Sequence, residues 1–296
     1  MDNWIANFVK PKIKGWVGTK ADLPDNLWHK CAGCEASVFH RDLVAHHYVC
    51  NECGHHFKIP LEQRISCLFD DGSWKIIPSP KVQQDPLKFK DQKKYTDRLK
   101  DARAKTKYDD ALSIVEGTIE GNKVIAAIFN FEFQGGSMGL AVGEAFVHAA
   151  QLAVETKSSF ITIPASGGAR MQEGALSLMQ LPRTLVAVKR VKNANLPYIV
   201  LLSDPTTGGI SASFAMVGDI HLAEPGATIG FAGRRVIEQT VRETLPPGFQ
   251  TAEYLLDHGM VDQVVPRDQQ RKVIGSMIDL LTNPSASPLE PALNNA

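Results

Sequence analysis

The sequence predicts an α/β protein with a covered sheet, preceded by a small module that binds a metal through four cysteines. Two observations lead to this prediction. Four of the five cysteines lie between residues 31 and 53, near the start of the chain. From about residue 111 onward, short apolar segments alternate with helical ones, and a Gly-Gly pair follows three of the apolar segments. Alternation of strands and helices is typical of a sheet covered by helices.

Length and composition limit the class of protein. The 296 residues suffice for one large domain, or for one domain with a small appended module. Lys+Arg and Asp+Glu balance at 32 each, so no overall field draws the protein to nucleic acid or membrane. No apolar run approaches the roughly 20 residues that span a bilayer, and the start, Met1–Trp4, lacks the basic-then-apolar pattern of a signal sequence. We therefore expect a cytoplasmic protein.

The cysteine cluster has the spacing of a zinc ribbon. The pairs Cys31/Cys34 and Cys50/Cys53 each enclose two residues, and 15 residues separate the pairs. Two such knuckles typically bring four thiolates to one zinc ion, and four protein ligands leave no position for a catalytic water. We therefore predict a structural zinc site with one ion per chain. His55 and His56 could compete as ligands, but four cysteines already complete the set. The fifth cysteine, Cys67, is interpreted as a buried small apolar residue.

The stretch 61–110 is predicted to be a helical, basic connector. Residues 81–108 hold ten Lys/Arg and four Asp. Such a stretch is either a solvated helix face or a surface that binds a polyanion or an acidic partner, and the sequence leaves both open. Residues 1–60 carry seven Lys/Arg against six Asp/Glu, which argues against nucleic-acid binding by the ribbon itself.

The remainder, residues 111–283, is predicted to be built from strands followed by glycine-rich turns and helices. Ile114–Ile119 and Val124–Phe133 are predicted to be paired strands joined by a turn at Gly121 and Asn122. An Ala-rich helix should run to about Thr156. The other predicted strands are Phe160–Ala165, Tyr198–Ser203, Ile220–Ala223 and Thr228–Phe231.

The glycine pairs stand at 135/136, 167/168 and 208/209, each before a predicted helix. N–H groups at a helix start have no partner within the helix, and with the helix dipole they suit a negatively charged oxygen. Alternatively, the glycines only permit close packing of helix and strand. No Walker A motif or G-x-G-x-x-G motif follows a strand, so a nucleotide-binding fold is not favoured.

No acid/base pair stands out beside the glycine pairs. The histidines after residue 110 are His148, His221 and His258, and none lies in a glycine-rich turn. The candidate nucleophiles Ser137, Ser166 and Ser203 have no recognisable base nearby in sequence, although such partners can meet in space. The pattern therefore favours oxyanion stabilisation.

Five segments resemble one known family, the β subunit of bacterial multi-subunit acetyl-CoA carboxylase carboxyltransferase. They are Ser166–Glu173, Asp204–Ala215, Ile229–Gly233, Arg235–Thr240 and Leu245–Gln250. The cysteine ribbon is the family's other hallmark, and the resemblance covers roughly residues 27–283. The sequence departs from the pattern at Arg234, where we would expect Pro at the first turn of a helix.

The resemblance implies a crotonase-like (ClpP/crotonase) spiral of ββα units over residues 111–283. Residues 1–60 would be the zinc ribbon with an N-terminal arm, and the Pro-, Ala- and Asn-rich residues 284–296 a disordered tail. It also implies an α2β2 heterotetramer with a homologous α subunit, served by biotin carboxyl carrier protein and by a biotin carboxylase that alone uses ATP.

The implied reaction transfers the carboxyl group of carboxybiotin to acetyl-CoA and gives malonyl-CoA for fatty acid synthesis. The biotin ureido nitrogen is the family's proposed base, so no protein base is required. By the resemblance, Gly167 and Gly168 hold the acetyl thioester oxygen. Gly208 and Gly209 are a second backbone site, unless the helix they open lines the subunit interface. The basic stretch 81–108 would also suit the phosphates of CoA.

Two other functions are compatible with parts of the sequence. One is a different acyl-CoA enzyme of the same fold, such as a hydratase or a propionyl-CoA carboxyltransferase. A hydratase needs a carboxylate pair to activate water, and Glu173 alone does not supply it. The other is a zinc-ribbon regulator that binds nucleic acid. For Arg170, a role in orienting acidic groups and a structural ion pair with Glu173 both stay open.

Overall fold

A computed structural model describes residues 27–283, in two compact units that divide between His55 and His56. The predicted N-terminal arm and the predicted tail of residues 284–296 lie outside the described residues. The sequence-based boundaries at residues 60 and 110 stay predictions.

The first unit is a small hairpin with a helix. Strands β1 (Trp28–Lys30) and β2 (Ser37–Phe39) pair antiparallel, and helix α1 (His40–Ala45) follows directly. Among residues 27–55 only a few side chains are buried, and Leu43 at 1% exposure is one of them. So small an apolar core contributes little to stability, and units of this size usually depend on a metal or on disulfides.

The second unit alternates strands and helices, as the sequence predicts. Its strands are β3 (Lys75–Ile77), β4 (Leu112–Ile119), β5 (Asn122–Phe129), β6 (Ser159–Ile163), β7 (Tyr198–Leu202), β8 (Thr206–Thr207), β9 (Ile220–Ala223), β10 (Ile229–Gly230) and β11 (Gln263–Val264). Its helices are α2 (Leu61–Leu68), α3 (Tyr95–Thr106), α4 (Leu140–Thr156), α5 (Gly174–Leu178), α6 (Gln180–Asn193), α7 (Arg234–Val241), α8 (Ala252–Asp257) and α9 (Arg267–Thr282).

Seven of these strands form one sheet, in the order β11-β9-β7-β6-β5-β4-β3. The five strands from β5 to β11 in this order run parallel, whereas β3, β4 and β5 pair antiparallel. The carboxyl ends of β5, β6 and β7 therefore lie side by side at one edge, where the glycine-rich turns leave the sheet.

Apolar residues cover both faces of the sheet. Along β5, Ile125 and Ala127 face one core with α4 and α6, while Val124 and Ala126 face the other with α2 and α9. Successive side chains of a strand point to opposite faces, so a strand buried on both faces is apolar throughout. The predicted covered sheet is confirmed.

Two local predictions were wrong. The loop between β4 and β5 consists of Glu120 and Gly121, because Asn122 already pairs with Ile119. Both loop residues have positive φ, 49° and 78°, as the common two-residue hairpin turn requires. Strand β5 ends at Phe129, four residues before the predicted end.

The helix predicted after the third glycine pair is replaced by turns and a short 3₁₀ helix, Phe214–Met216. Two serine hydroxyls in this segment donate to backbone carbonyls, Ser211 to Gly208 O and Ser213 to Gly209 O. Side-chain bonds of this kind compete with regular helix formation.

Among the helices that lie within residues 27–283, none has both the length and the apolarity needed to cross a bilayer.

Candidate functional site

The three glycine-rich turns lie against one another at the carboxyl ends of β5, β6 and β7. Gly167 N–H donates to Gly135 O over 3.0 Å, which joins the first turn to the second. Thr207 N–H donates to Ser166 O, also over 3.0 Å, which joins the second turn to the third. The structure thus brings together segments that are about 30 to 40 residues apart in sequence.

Close packing explains part of the glycine requirement. Gly136 has φ 65°, and a Cβ there would lie 1.8 Å from Ala165 O. Gly208 has φ 65°, and its Cβ would lie 3.1 Å from the Cα of Gly168. Gly168 itself has φ 115°, a conformation that other residues rarely adopt. The packing interpretation therefore accounts for Gly136 and Gly208 without any ligand.

The hydrogen bonds of the turns distinguish the four candidate glycines. Gly167 N–H is occupied by Gly135 O, and Gly208 N–H donates to Phe231 O over 2.9 Å. Gly168 N–H donates to the side-chain oxygen of Ser166 over 3.1 Å. Over residues 27–283, Gly209 N–H donates no hydrogen bond, and the same holds for Ala169 N–H. A Cβ on Gly168 would lie 3.5 Å from Gly209 N, so these two residues are immediate neighbours.

The start of α4, the helix that follows the first glycine-rich turn, is occupied by a carboxylate of the protein. Glu173 Oε2 accepts from Leu140 N–H over 2.6 Å, and Oε1 accepts from the Tyr95 hydroxyl over 2.5 Å. A Cβ on Gly139 would lie 2.3 Å from Glu173 Oε1. A helix start that already holds an anion is not available to a substrate oxyanion. Glu173, 5% exposed and bonded on both oxygens, is also not placed to activate water.

Arg170 pairs mainly with a residue that the sequence did not single out. Its Nη2 lies 2.6 Å from Asp110 Oδ1, whereas its Nη1 lies 3.6 Å from Glu173 Oε1. Burial by itself lowers the pKa of the Arg170 guanidinium, but Asp110 and Tyr95 beside it raise the pKa above its usual value. Asp110 and Tyr95 precede Arg170 by 60 and 75 residues, so no sequence spacing signalled the contact.

An open cleft of about 580 Å³ lies beside the first two turns. Gly135, Gly167 and Ala169 line it from the turns, and Met171, 84% exposed, stands at its side. Two cations of the basic stretch also line the cleft, but both are paired: Lys93 with Asp101 and Arg98 with Asp91.

None of the candidate serines has a histidine base in the described part of the chain. Ser137 Oγ accepts from Arg170 Nε, Ser166 Oγ accepts from Gly168 N–H, and Ser203 Oγ donates to Pro164 O. His221 accepts from Gly218 N–H through Nε2. A Ser–His–acid mechanism is therefore not supported.

In the first unit, the four predicted cysteines converge. Their sulfurs all lie within 4.8 Å of one another, and the group contains neither His55 nor His56. The Sγ–Sγ distances are 3.6 Å for Cys31 and Cys53 and 3.8 Å for Cys34 and Cys50. A tetrahedral zinc ion with Zn–S bonds of about 2.3 Å separates its sulfurs by about 3.8 Å. The residues therefore fit one structural zinc ion.

Replacing Cys50 by alanine should abolish stoichiometric zinc binding and expose residues 27–55 to limited proteolysis, because metal binding and folding are coupled in such modules. Metal analysis and protease mapping of purified protein would measure both effects. The control is Cys67→Ala, which also removes a buried thiol but lies in α2, outside the cluster. Zinc retained by the Cys50 variant, or lost from the control, would contradict the assignment.

Comparison with known proteins gives two family matches. Residues 62–280 match the carboxyl transferase domain, and residues 28–53 match the acetyl-CoA carboxylase zinc finger domain. Two curated relatives carry the name acetyl-coenzyme A carboxylase carboxyl transferase subunit beta. The one from Mesorhizobium japonicum is 54% identical over 293 residues, 98% of this chain and 95% of the relative. The one from Sinorhizobium fredii is 55% identical over 279 residues, 94% of this chain and 91% of the relative.

Solved structures support the fold. A Pseudomonas malonate decarboxylase heterodimer aligns over 75% of this chain and 86% of its own, with TM-score 0.59 and 21% identity. Transcarboxylase 12S aligns over 75% of this chain and 41% of its own, with TM-score 0.61 and 23% identity. The predicted crotonase-like fold with an N-terminal zinc ribbon is thus confirmed.

Proposed function

This chain belongs to the family of acetyl-CoA carboxylase carboxyltransferase β subunits, and we propose that backbone N–H groups of its second and third glycine-rich turns hold the thioester oxygen during carboxylation of acetyl-CoA. The chain is a carboxyltransferase component whose family forms malonyl-CoA for fatty acid synthesis. Carboxylated biotin, when bound, would supply the carboxyl group as CO2, and the ureido nitrogen freed as CO2 departs would take the proton of the acetyl methyl group.

The observation that carries the proposal is the pairing of Gly168 with Gly209. Loss of the methyl proton places negative charge on the thioester oxygen, and preorganised N–H donors stabilise such charge most where water is excluded. Gly209 N–H donates no bond within the described residues. Gly168 N–H is held only by the neutral Ser166 hydroxyl at 3.1 Å, which an oxyanion can replace with a stronger, charge-assisted bond.

Gly167 and Gly208 have a different role in this proposal. Their N–H groups already donate to Gly135 O and Phe231 O, so they are not free to bind an oxygen. They set the path of the two turns instead. The four glycines predicted from the sequence thus divide into two donors, Gly168 and Gly209, and two residues that shape the turns.

The geometry also favours carboxyl transfer over the two alternatives. A hydratase would need a carboxylate free to activate water, and Glu173 is buried with both oxygens bonded. A nucleic-acid-binding ribbon would need clustered cations, yet residues 27–55 contain two Lys/Arg and three Asp/Glu.

We further propose that the β chain works with a homologous α subunit, biotin carboxyl carrier protein and an ATP-dependent biotin carboxylase. Membership in a family of β subunits implies partner chains. Exposed apolar side chains on α5 and α6 support a docking face for the α subunit. Leu178 at the end of α5, Met179 between the two helices and Val186 on α6 are 54%, 59% and 56% exposed, and exposed apolar side chains that cluster mark interaction surfaces.

The test is malonyl-CoA formation from acetyl-CoA and carboxylated biotin, with this chain alone and with a cognate α subunit. We expect activity only in the mixture, because the resemblance assigns the CoA side to the β chain and most of the biotin side to the α chain. No activity with the α subunit, from folded zinc-loaded protein, would overturn the proposal in favour of another acyl-CoA reaction.

A further inference from the structure

The Arg170 guanidinium makes more hydrogen bonds than an arginine in a surface ion pair makes. Its side chain is completely buried, and five hydrogen bonds use its guanidinium. Nε donates to Ser137 Oγ over 3.1 Å, and Nη2 donates to Ser137 O over 2.7 Å. Nη1 and Nη2 donate to the two Asp110 carboxylate oxygens over 3.1 and 2.6 Å, and Nη1 also donates to the Tyr95 hydroxyl over 3.1 Å. A guanidinium has five N–H donors, so the number of bonds equals its full capacity.

These contacts join the first glycine-rich turn to the second. Ser137 belongs to the first turn, while Arg170 ends the second. The backbone repeats the connection: Arg170 N–H donates to Met138 O, and Met138 N–H donates to Gly168 O, both over 2.9 Å. The guanidinium lies directly beside this pair of backbone bonds and ties it to Asp110, two residues before β4, and to Tyr95 on α3. Any change at Arg170 therefore alters the support of Gly168.

We propose that Arg170 is a positioning residue for carboxyl transfer, which fixes the backbone at Gly168 through its carbonyl and thereby keeps the adjoining Gly168 N–H at the place where the thioester oxygen develops charge. This inference rests on the function proposed above. Arg170 acts through Ser137 and the Met138–Gly168 bond and does not itself need to contact the substrate. Donors that are fixed in advance cost no reorganisation during the reaction, and misplacement by about 1 Å can cost on the order of 10²-fold in rate.

The proposed role depends on the planar guanidinium of Arg170, whose N–H groups point in fixed directions. Lysine keeps the charge, but its ammonium is a compact point charge that cannot span Asp110 and Ser137 in one plane. In the assembled enzyme, Arg170→Lys should lower kcat by about 10- to 100-fold, with a much smaller change in the KM for acetyl-CoA. Amide hydrogen exchange at Met138 and Arg170 should become faster.

Arg267→Lys is the matched control. Arg267 is also buried and paired, with its Nε 2.7 Å from Glu224 Oε1, but it lies at the start of α9, away from the glycine-rich turns. The Arg267→Lys substitution should lower the melting temperature without changing kcat per folded enzyme. Tyr95→Phe provides a milder variant should Arg170→Lys fail to fold. It removes the hydroxyl between Arg170 and Glu173, and we expect a few-fold loss of kcat.

The outcomes separate this inference from the proposed function. A wild-type complex without malonyl-CoA formation would overturn the proposed function. An active wild-type complex, with Arg170→Lys or Tyr95→Phe affecting only stability as Arg267→Lys does, would overturn the positioning role alone. A loss of kcat confined to the Arg170 and Tyr95 variants supports it.

Discussion

Replacing Gly168 by alanine should lower kcat of the assembled carboxyltransferase by about 10²–10³-fold, the usual loss when one oxyanion donor is removed. Gly168 has φ 115°, which alanine adopts only with strain, so the backbone must turn and the N–H must move. The added Cβ would also meet the Cα of Gly208 at 3.4 Å. Steady-state kinetics with acetyl-CoA and carboxylated biotin would measure the loss.

Two further glycine variants make this prediction specific. Gly259→Ala also places an alanine at positive φ, here 70° with no atom within 4 Å of the new Cβ, just after α8, and should keep normal kcat. Gly167→Ala should cost less than Gly168→Ala, because Gly167 N–H already donates to Gly135 O. Equal kcat in the Gly168 and Gly259 variants would show that Gly168 N–H does not bind the oxyanion.

Replacing Glu224 by glutamine should lower the free energy of unfolding by about 3–5 kcal/mol, because it leaves buried arginines without their counter-charge. Glu224 Oε1 lies 2.5 Å from Arg64 Nη1 on α2 and 2.7 Å from Arg267 Nε on α9. All three side chains are at most 6% exposed. Urea unfolding of the purified chain would measure the change.

The stability lost in the Glu224→Gln variant should depend on pH in a defined direction. Burial by itself raises the pKa of the Glu224 carboxyl, but Arg64 and Arg267 beside it hold the pKa well below its usual range. The unfolded chain therefore binds this proton more readily, so the stabilisation is fully present above the unfolded pKa of about 4.3. It is lost as the pH falls toward the folded pKa. The difference between wild type and Glu224→Gln should accordingly shrink in acid.

Glu116→Gln is the control for this charge change. Glu116 pairs with Lys75 at the surface, where the two side chains are 33% and 66% exposed, and such pairs contribute at most about 1 kcal/mol. A Glu224 variant no less stable than the Glu116 variant at neutral pH would show that the buried cluster does not stabilise the fold.

Much of the site could be predicted because its signals are local. The four cysteines carry their ligand geometry in their spacing, and alternating segments predict the covered sheet. The glycine pairs mark the turns because positive φ is a property of single residues. The helix predicted after Gly209 does not form, and the reason is also local: the hydroxyls of Ser211 and Ser213 donate to backbone carbonyls.

The sequence by itself thus determined the family, the four-cysteine zinc ribbon and the class of fold, and it predicted the glycine-rich turns as the reactive region. Only the tertiary structure decided which N–H groups of those turns are available, that Glu173 closes the start of α4, and that Arg170 pairs with Asp110. Hydrogen bonds between distant segments settle these points. Whether Gly167 N–H is free depends on Gly135 O, and the partners of Arg170 come from α3, from the residues just before β4 and from the first glycine-rich turn. Such contacts leave no periodicity or spacing in the sequence, because they exist only once the parallel strands have placed the turns side by side.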